Sequence, residues 1–119
     1  MKRLCRTFKA LTSYGEIGPS AQILFNRVNE NALMVLFRRE GIEAKQQVPI
    51  TVYFEEEVVG NYYADILVED KVILEIKSVE NIIDAHIAQT LNYLKATGLR
   101  LAIILNFSKE KLEYKRVVK

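Results

Sequence analysis

The six residues Val72-Ile73-Leu74-Glu75-Ile76-Lys77 constrain this chain more than any other stretch. They are apolar at both alternating sets of positions, so they predict a central strand covered on both faces. Glu75 and Lys77 are two apart and therefore share a face. An ionisable pair inside a buried strand is costly unless other groups satisfy it. Alone, such a pair reads as two side chains near the strand's open end that bond to neighbours.

Asp65 changes that reading. It interrupts a second apolar stretch, Tyr62 to Val68, on the strand just before. Two carboxylates and a lysine from adjacent strands make a hard-oxygen site, the kind Mg²⁺ shares with waters and phosphate oxygens. The lysine can position or deprotonate a water, or stabilise charge at phosphorus. The hairpin register decides whether the carboxylates meet. A two-residue turn at Glu69-Asp70 sets Asp65 opposite Leu74, on the wrong face. A three-residue loop pairs Val68 with Val72 and sets Asp65 opposite Glu75. The longer loop, or an equivalent bulge, is expected.

Leu24, Val28, Ala32 and Val35 recur near helical spacing, which predicts a helix over 21–39 stopped by Gly41. Strands are expected over 46–54, with Pro49 marking an edge or a bend, and over 58–68, with Gly60 at a bulge or bend. Glu55-Glu56-Glu57 reads as a polar turn. A second helix is expected over 84–97, ended by Gly98. A fully buried strand over 101–105 and a more polar one over 113–118 follow. A helix crossing between two central apolar strands implies a parallel pair in a mixed sheet. The fold class is α/β: one domain over 1–119, a mixed central sheet flanked by helices. Residues 1–20 are a poorly defined segment, where Gly15, Gly18 and Pro19 break any long helix.

His86, Gln89 and Tyr93 are spaced to share one side of the second helix. Packed over the sheet, Gln89 could touch the lysine or a phosphate, with Tyr93 bracing it. The same stripe also reads as the wet side of a half-buried helix. His86 reads as a surface or capping histidine before it reads as a ligand.

Half of the 119 residues are hydrophobic, enough for one core. The single cysteine, Cys5, excludes a cysteine-rich zinc site and fits a reducing, cytoplasmic compartment. No apolar run approaches the roughly 18 residues of a membrane span. The basic start lacks a signal-peptide core, so a soluble protein with no membrane partner is expected. The net charge is +2, with basic ends around an acidic centre. Lys2, Arg3, Arg6 and Lys9 stand at one end, and Lys109, Lys111, Lys115, Arg116 and Lys119 at the other. That pattern suits a phosphate-binding rim, and ordinary solvated termini equally.

Asp65, nine residues, Glu75-Ile76-Lys77 and then Gln89-x-x-x-Tyr93 resemble the signature of the PD-(D/E)XK nucleases. Gln47-Val48-Pro49, Val59-Gly60, Tyr63-Ala64-Asp65, Thr97-Gly98-Leu99-Arg100 and Leu105-Asn106-Phe107 extend the likeness to the small prokaryotic GxxExxY proteins, over about residues 28–118. The resemblance implies a restriction-endonuclease-like fold and Mg²⁺- or Mn²⁺-dependent hydrolysis of DNA. It implies Asp65 and Glu75 as metal ligands, the Ile76 carbonyl as a candidate third, Lys77 as the catalytic lysine and Gln89 as an accessory contact.

The first helix departs from that family's glycine, glutamate and tyrosine. Aligned back from Glu30, the glutamate falls on Asn26 and the tyrosine on Asn29; aligned forward from Gly18, the glutamate falls on Ile23. Glu30, one turn beyond Asn26, could partly substitute, though it reads first as a plain surface residue. The leading expectation is a metal-dependent nuclease acting on DNA, with a homodimer suggested by the short surface of one small domain. The runner-up is a catalytically weakened relative that binds nucleic acid or another partner. A purely structural domain with a coincidental motif ranks third.

Overall fold

The computed structural model describes residues 19–108 and 112–119. The readings of the basic start, of Cys5, Gly15 and Gly18, and of Lys109 and Lys111 lie outside the described residues. The elements run α1 (Pro19–Arg39), β1 (Ala44–Phe54), β2 (Glu57–Val68), β3 (Val72–Lys77), α2 (Asp84–Thr97), β4 (Leu101–Asn106) and β5 (Glu113–Val118). The strands form one five-stranded sheet in sequence order. β3 and β4 are parallel and all other neighbours antiparallel, which is the mixed sheet the sequence predicts. Among the described residues no helix is long and apolar enough to cross a membrane.

Local chemistry sets the boundaries. Pro19 opens α1, where a missing N–H is harmless. Gly98 ends α2 at φ 74, and its N–H reaches the Leu94 carbonyl at 2.9 Å. Pro49 sits on the edge strand β1. The β1–β2 turn is shorter than expected. Glu55 (φ 48) and Glu56 (φ 72) make it alone, and Glu57 already pairs with Phe54. Gly60 lies beside a bulge, because Val52 pairs with Gly60 but Tyr53 with Val58. A Cβ on Gly60 would stand 2.6 Å from the Tyr62 ring, so a bare backbone lets Tyr62 lie back over the strand.

Alternation along β3 feeds two cores. Leu74 and Ile76 point toward α1 and pack with Leu33, Phe37, Ile66, Leu105 and Phe107. Ile73 points toward α2 and packs with Tyr93, Leu94, Ala102 and Ile104. Glu75 and Lys77 share the face of Ile73. The expected fully buried strand over 101–105 runs one residue further, and Leu101 and Ile103 stay half-buried.

The predicted face of α1 needs correcting. Val28 and Val35 are exposed, while Asn29, Glu30, Leu33 and Phe37 are buried. The buried stripe is half polar, and its polar half lies over the site.

Candidate functional site

The site forms where β2 leaves β3. Val68 pairs with Val72, Leu67 with Ile73 and Ile66 with Leu74, and there the ladder stops. This is the register of the longer loop. Glu69 (φ 52) and Asp70 (φ 55) make the turn, Lys71 N–H bonds to the Val68 carbonyl at 3.0 Å, and Lys71 bulges out of the pairing. The next residue back along β2 is Asp65. Its carboxylate takes the place of a ladder partner: Ile76 N–H donates to Asp65 Oδ2 at 2.7 Å. N–H and C=O of one strand residue point the same way. The Ile76 carbonyl therefore faces the gap that the Asp65 carboxylate occupies.

Asp65 and Glu75 are electrostatically coupled across this gap. Burial, then repulsion from Asp65, push the Glu75 carboxyl from 4.5 up to about 8. Lys77 and the Asp65 backbone N–H oppose that rise. Burial is also the main reason Asp65 is raised; Glu30 raises it further, while the Ile76 N–H, Gln47 and Lys77 hold it down. Asp65, Glu75 and Lys77 therefore feel one another directly. Glu75 is only 7% exposed, and its Oε1 has no hydrogen-bond partner. A buried acceptor without a donor is rare in a native interior.

The accessory residues divide. Tyr93 is buried beneath the site, its ring 5.5 Å from that of Tyr62. Burial, then the Glu75 charge, push its phenol up to about 12. Gln89 is exposed on α2 and among the described residues has no hydrogen-bond partner. His86 caps the helix, its Nδ1 accepting the Ile83 N–H at 3.1 Å. Glu30 is not the plain surface residue expected. It is 3% exposed, and Gln46 and Gln47 both donate to it. The negative charge of Glu30 contributes to raising both Asp65 and Glu75.

Sequence reasoning missed the two glutamines as site residues. A signal was present: adjacent polar residues at the start of an otherwise apolar strand. It also missed that the Ser78 hydroxyl bonds to Asn26 Oδ1, tying α1 to the end of β3. Asn106 secures the same end, accepting from the Val79 N–H at 3.0 Å and donating to its carbonyl at 2.7 Å. Among the described residues no three His, Cys, Asp or Glu side chains are grouped to hold a metal ion. The side-chain oxygens at this mouth come from Asp65 and Glu75.

The chain is thus an α/β domain with a mixed sheet, and Asp65, Glu75 and Lys77 influence one another where two of its strands part. A family model described as the PD-(D/E)XK nuclease superfamily matches residues 9–117, and the chain belongs to that superfamily. The fold also resembles the crystal structure of SSO0001, with a TM-score of 0.65 and 17% identity, covering 99% of this chain and 61% of that one. It resembles an alkaline exonuclease (LHK-Exo) from Laribacter hongkongensis, with a TM-score of 0.59 and 15% identity, covering 96% and 69%. At these identities the likeness is one of fold, and the chain spans about 61% of the length of SSO0001. No curated protein matches the sequence.

Proposed function

We propose that this chain is a divalent-metal-dependent nuclease that hydrolyses phosphodiester bonds in DNA, using Mg²⁺ or Mn²⁺. The observation that carries the reading is the buried, unpartnered Glu75 Oε1 beside the coupled carboxylate of Asp65. Two carboxylates held against each other in a low-dielectric mouth favour a cation between them. Asp65, Glu75 and the Ile76 carbonyl would hold it. When bound, such an ion neutralises phosphate oxygens and acidifies a water.

The chain's own groups do the rest. Lys77 shares the face of Glu75 and is half-buried at the end of β3, where it orients the attacking water or offsets charge developing at phosphorus. Gln89, exposed on α2, offers its carboxamide to the phosphate. Tyr93 packs behind the carboxylates against Tyr62 and keeps water from their apolar side. Glu30 on α1 anchors Gln47, whose carboxamide reaches Asp65. GxxExxY membership is the finer placement within the superfamily. The short surface of a single domain is the reason to expect two copies on one duplex, and gel filtration reads that directly.

One observation favours the second reading, a weakened relative that binds without cutting. Asn26 or Ile23, according to the alignment, stands where that family carries its helix glutamate, and Glu30 is already bonded to two glutamines. The deciding experiment is a thermal melt with and without Mg²⁺ or Mn²⁺. A working site stabilises the folded chain by about 2.7 kcal/mol at a hundredfold excess over Kd. Asp65→Asn keeps an oxygen for the Ile76 N–H but loses the charge, and should not respond. Wild type that ignores both ions defeats the metal site. Wild type that binds metal but leaves DNA intact supports the second reading.

A further inference from the structure

Gln47 holds an unusual place. β1 pairs with β2 on both sides of it without a change of register, Gln46 with Ile66 and Val48 with Ala64. Yet Gln47 has φ 51, a left-handed conformation rare for a residue with a side chain and foreign to a strand. The faces of both strands change there. Ala44 packs on the α1 side and Val48 on the α2 side, although four residues apart on one strand. Ile66 and Ala64, two apart, also face opposite cores. A regular strand would keep each pair on one face. The hairpin therefore turns over at Gln47 and Asp65, the position at which β2 leaves β3.

The side chains report the same turn. Adjacent residues on a regular strand point to opposite faces, but Gln46 and Gln47 reach the same carboxylate. Gln46 Nε2 lies 3.1 Å from Glu30 Oε1, and Gln47 Nε2 lies 3.0 and 3.2 Å from its two oxygens. Gln47 Nε2 also lies 3.5 Å from Asp65 Oδ1. One neutral NH₂ group thus stands between two carboxylates that repel each other. With Ile76 N–H on Oδ2 and Gln47 on Oδ1, each oxygen of Asp65 has a donor. Two donors on two oxygens set the plane of a carboxylate.

Glycine would adopt this backbone at lower cost. A side chain kept there against strain points to work done by the side chain. We propose that Gln47 is a positioning residue for the cation site: its backbone turns Asp65 out of the ladder, and its carboxamide fixes the Asp65 carboxylate against Glu30. The role rests on the metal-dependent reading above. It predicts that cation affinity depends on the carboxamide independently of fold stability.

The test is calorimetric titration of the full chain with Mn²⁺, paired with melting of the metal-free protein, for wild type, Gln47→Gly and Gln47→Ala. Both variants lose the carboxamide. Only glycine also relieves the backbone. Mn²⁺ affinity should fall roughly ten- to a hundredfold in both, the range seen when a support behind a metal ligand is removed. The metal-free glycine variant should melt above the alanine variant. A purely structural role would make affinity follow melting temperature, with glycine close to wild type. Either that pattern or unchanged affinity in the glycine variant overturns the proposal. Wild type that shows no Mn²⁺ binding sensitive to Asp65→Asn overturns the metal reading itself, which is a separate result.

Discussion

Two buried glutamates lie on either side of Asp65 and are provided for in opposite ways. Glu30 on α1 is 3% exposed, and both of its oxygens accept hydrogen bonds from glutamines, with Arg27 4.0 Å away. Glu75 on β3 is 7% exposed, and one of its oxygens has no partner. Burial is nearly equal, so burial does not separate them. Satisfaction does. Both oxygens of Glu30 are bonded, although its equally buried neighbour Asn29 has no partner for its carboxamide, whereas Glu75 keeps one acceptor without a donor. An interior carboxylate without a donor is destabilising unless something from outside completes it. On the proposed reading, Glu30 shapes the fold beside the site and the β3 side carries the chemistry.

The largest expected difference is in cleavage. Lys77→Ala should slow metal-supported DNA cleavage by roughly 10²–10⁴, the usual reach of a group that moves or positions a proton. Glu30→Gln keeps the shape of the α1 network and should stay within about tenfold of wild type. Both rates come from one assay on labelled duplex. Equal losses in the two variants would erase the distinction between the regions.

Stability against pH comes next. The folded chain holds a proton on Glu75 to about pH 8, whereas the unfolded chain releases it near 4.5. This group therefore costs no stability below 4.5, an increasing amount as pH rises toward 8, and a constant amount above. At 1.36 kcal/mol for each tenfold change in proton affinity, the full cost is on the order of 5 kcal/mol. Asp65 is raised as well and adds the same sign. Urea unfolding without metal should show wild type less stable at pH 8 than at pH 5. Glu75→Gln should lose most of that slope and be the more stable protein at pH 8. Added Mg²⁺ should restore wild type and leave Glu75→Gln unmoved. Glu30→Leu should behave in the opposite way, losing roughly 1–3 kcal/mol because Gln47 keeps only a 3.5 Å contact to Asp65 and Gln46 only its bond to Asn31.

The same contrast explains what the sequence disclosed. β3, the bounds of α2 and the β2–β3 register were legible, because each follows from local pattern. Apolar residues at both phases of β3 mark a central strand, Gly98 marks the stop of α2, and bringing Asp65 to Glu75 demands the bulged loop. The face of α1 was not legible. Its apolar spacing pointed to Val28 and Val35, which are exposed. The buried Glu30 is compensated by residues sixteen and seventeen positions away, and no local periodicity encodes such a partnership. The turn at Gln47 was hidden for a related reason. A left-handed glutamine carries none of the glycine or asparagine signals that mark such a backbone. Glu75 stood out in the sequence because its neighbours are apolar; the burial of Glu30 did not, because its donors lie on another element.

The smallest effect separates a cap from a ligand at the far edge of the site. His86 Nδ1 accepts the Ile83 N–H, which requires that nitrogen to carry no proton. Partial burial and the Lys77 charge hold the imidazole below its ordinary 6.5. The sign is therefore opposite to that of Glu75: the contribution is present above 6.5 and is lost as pH falls through the lowered value. His86→Ala should cost about 1 kcal/mol near neutral pH, as for other lost helix caps, and less at pH 5. Cleavage at a temperature where the variant is fully folded should stay within about threefold of wild type, since that cost lies in the fold rather than in a rate step. A loss as deep as that of Lys77→Ala would instead put His86 in contact with the scissile phosphate.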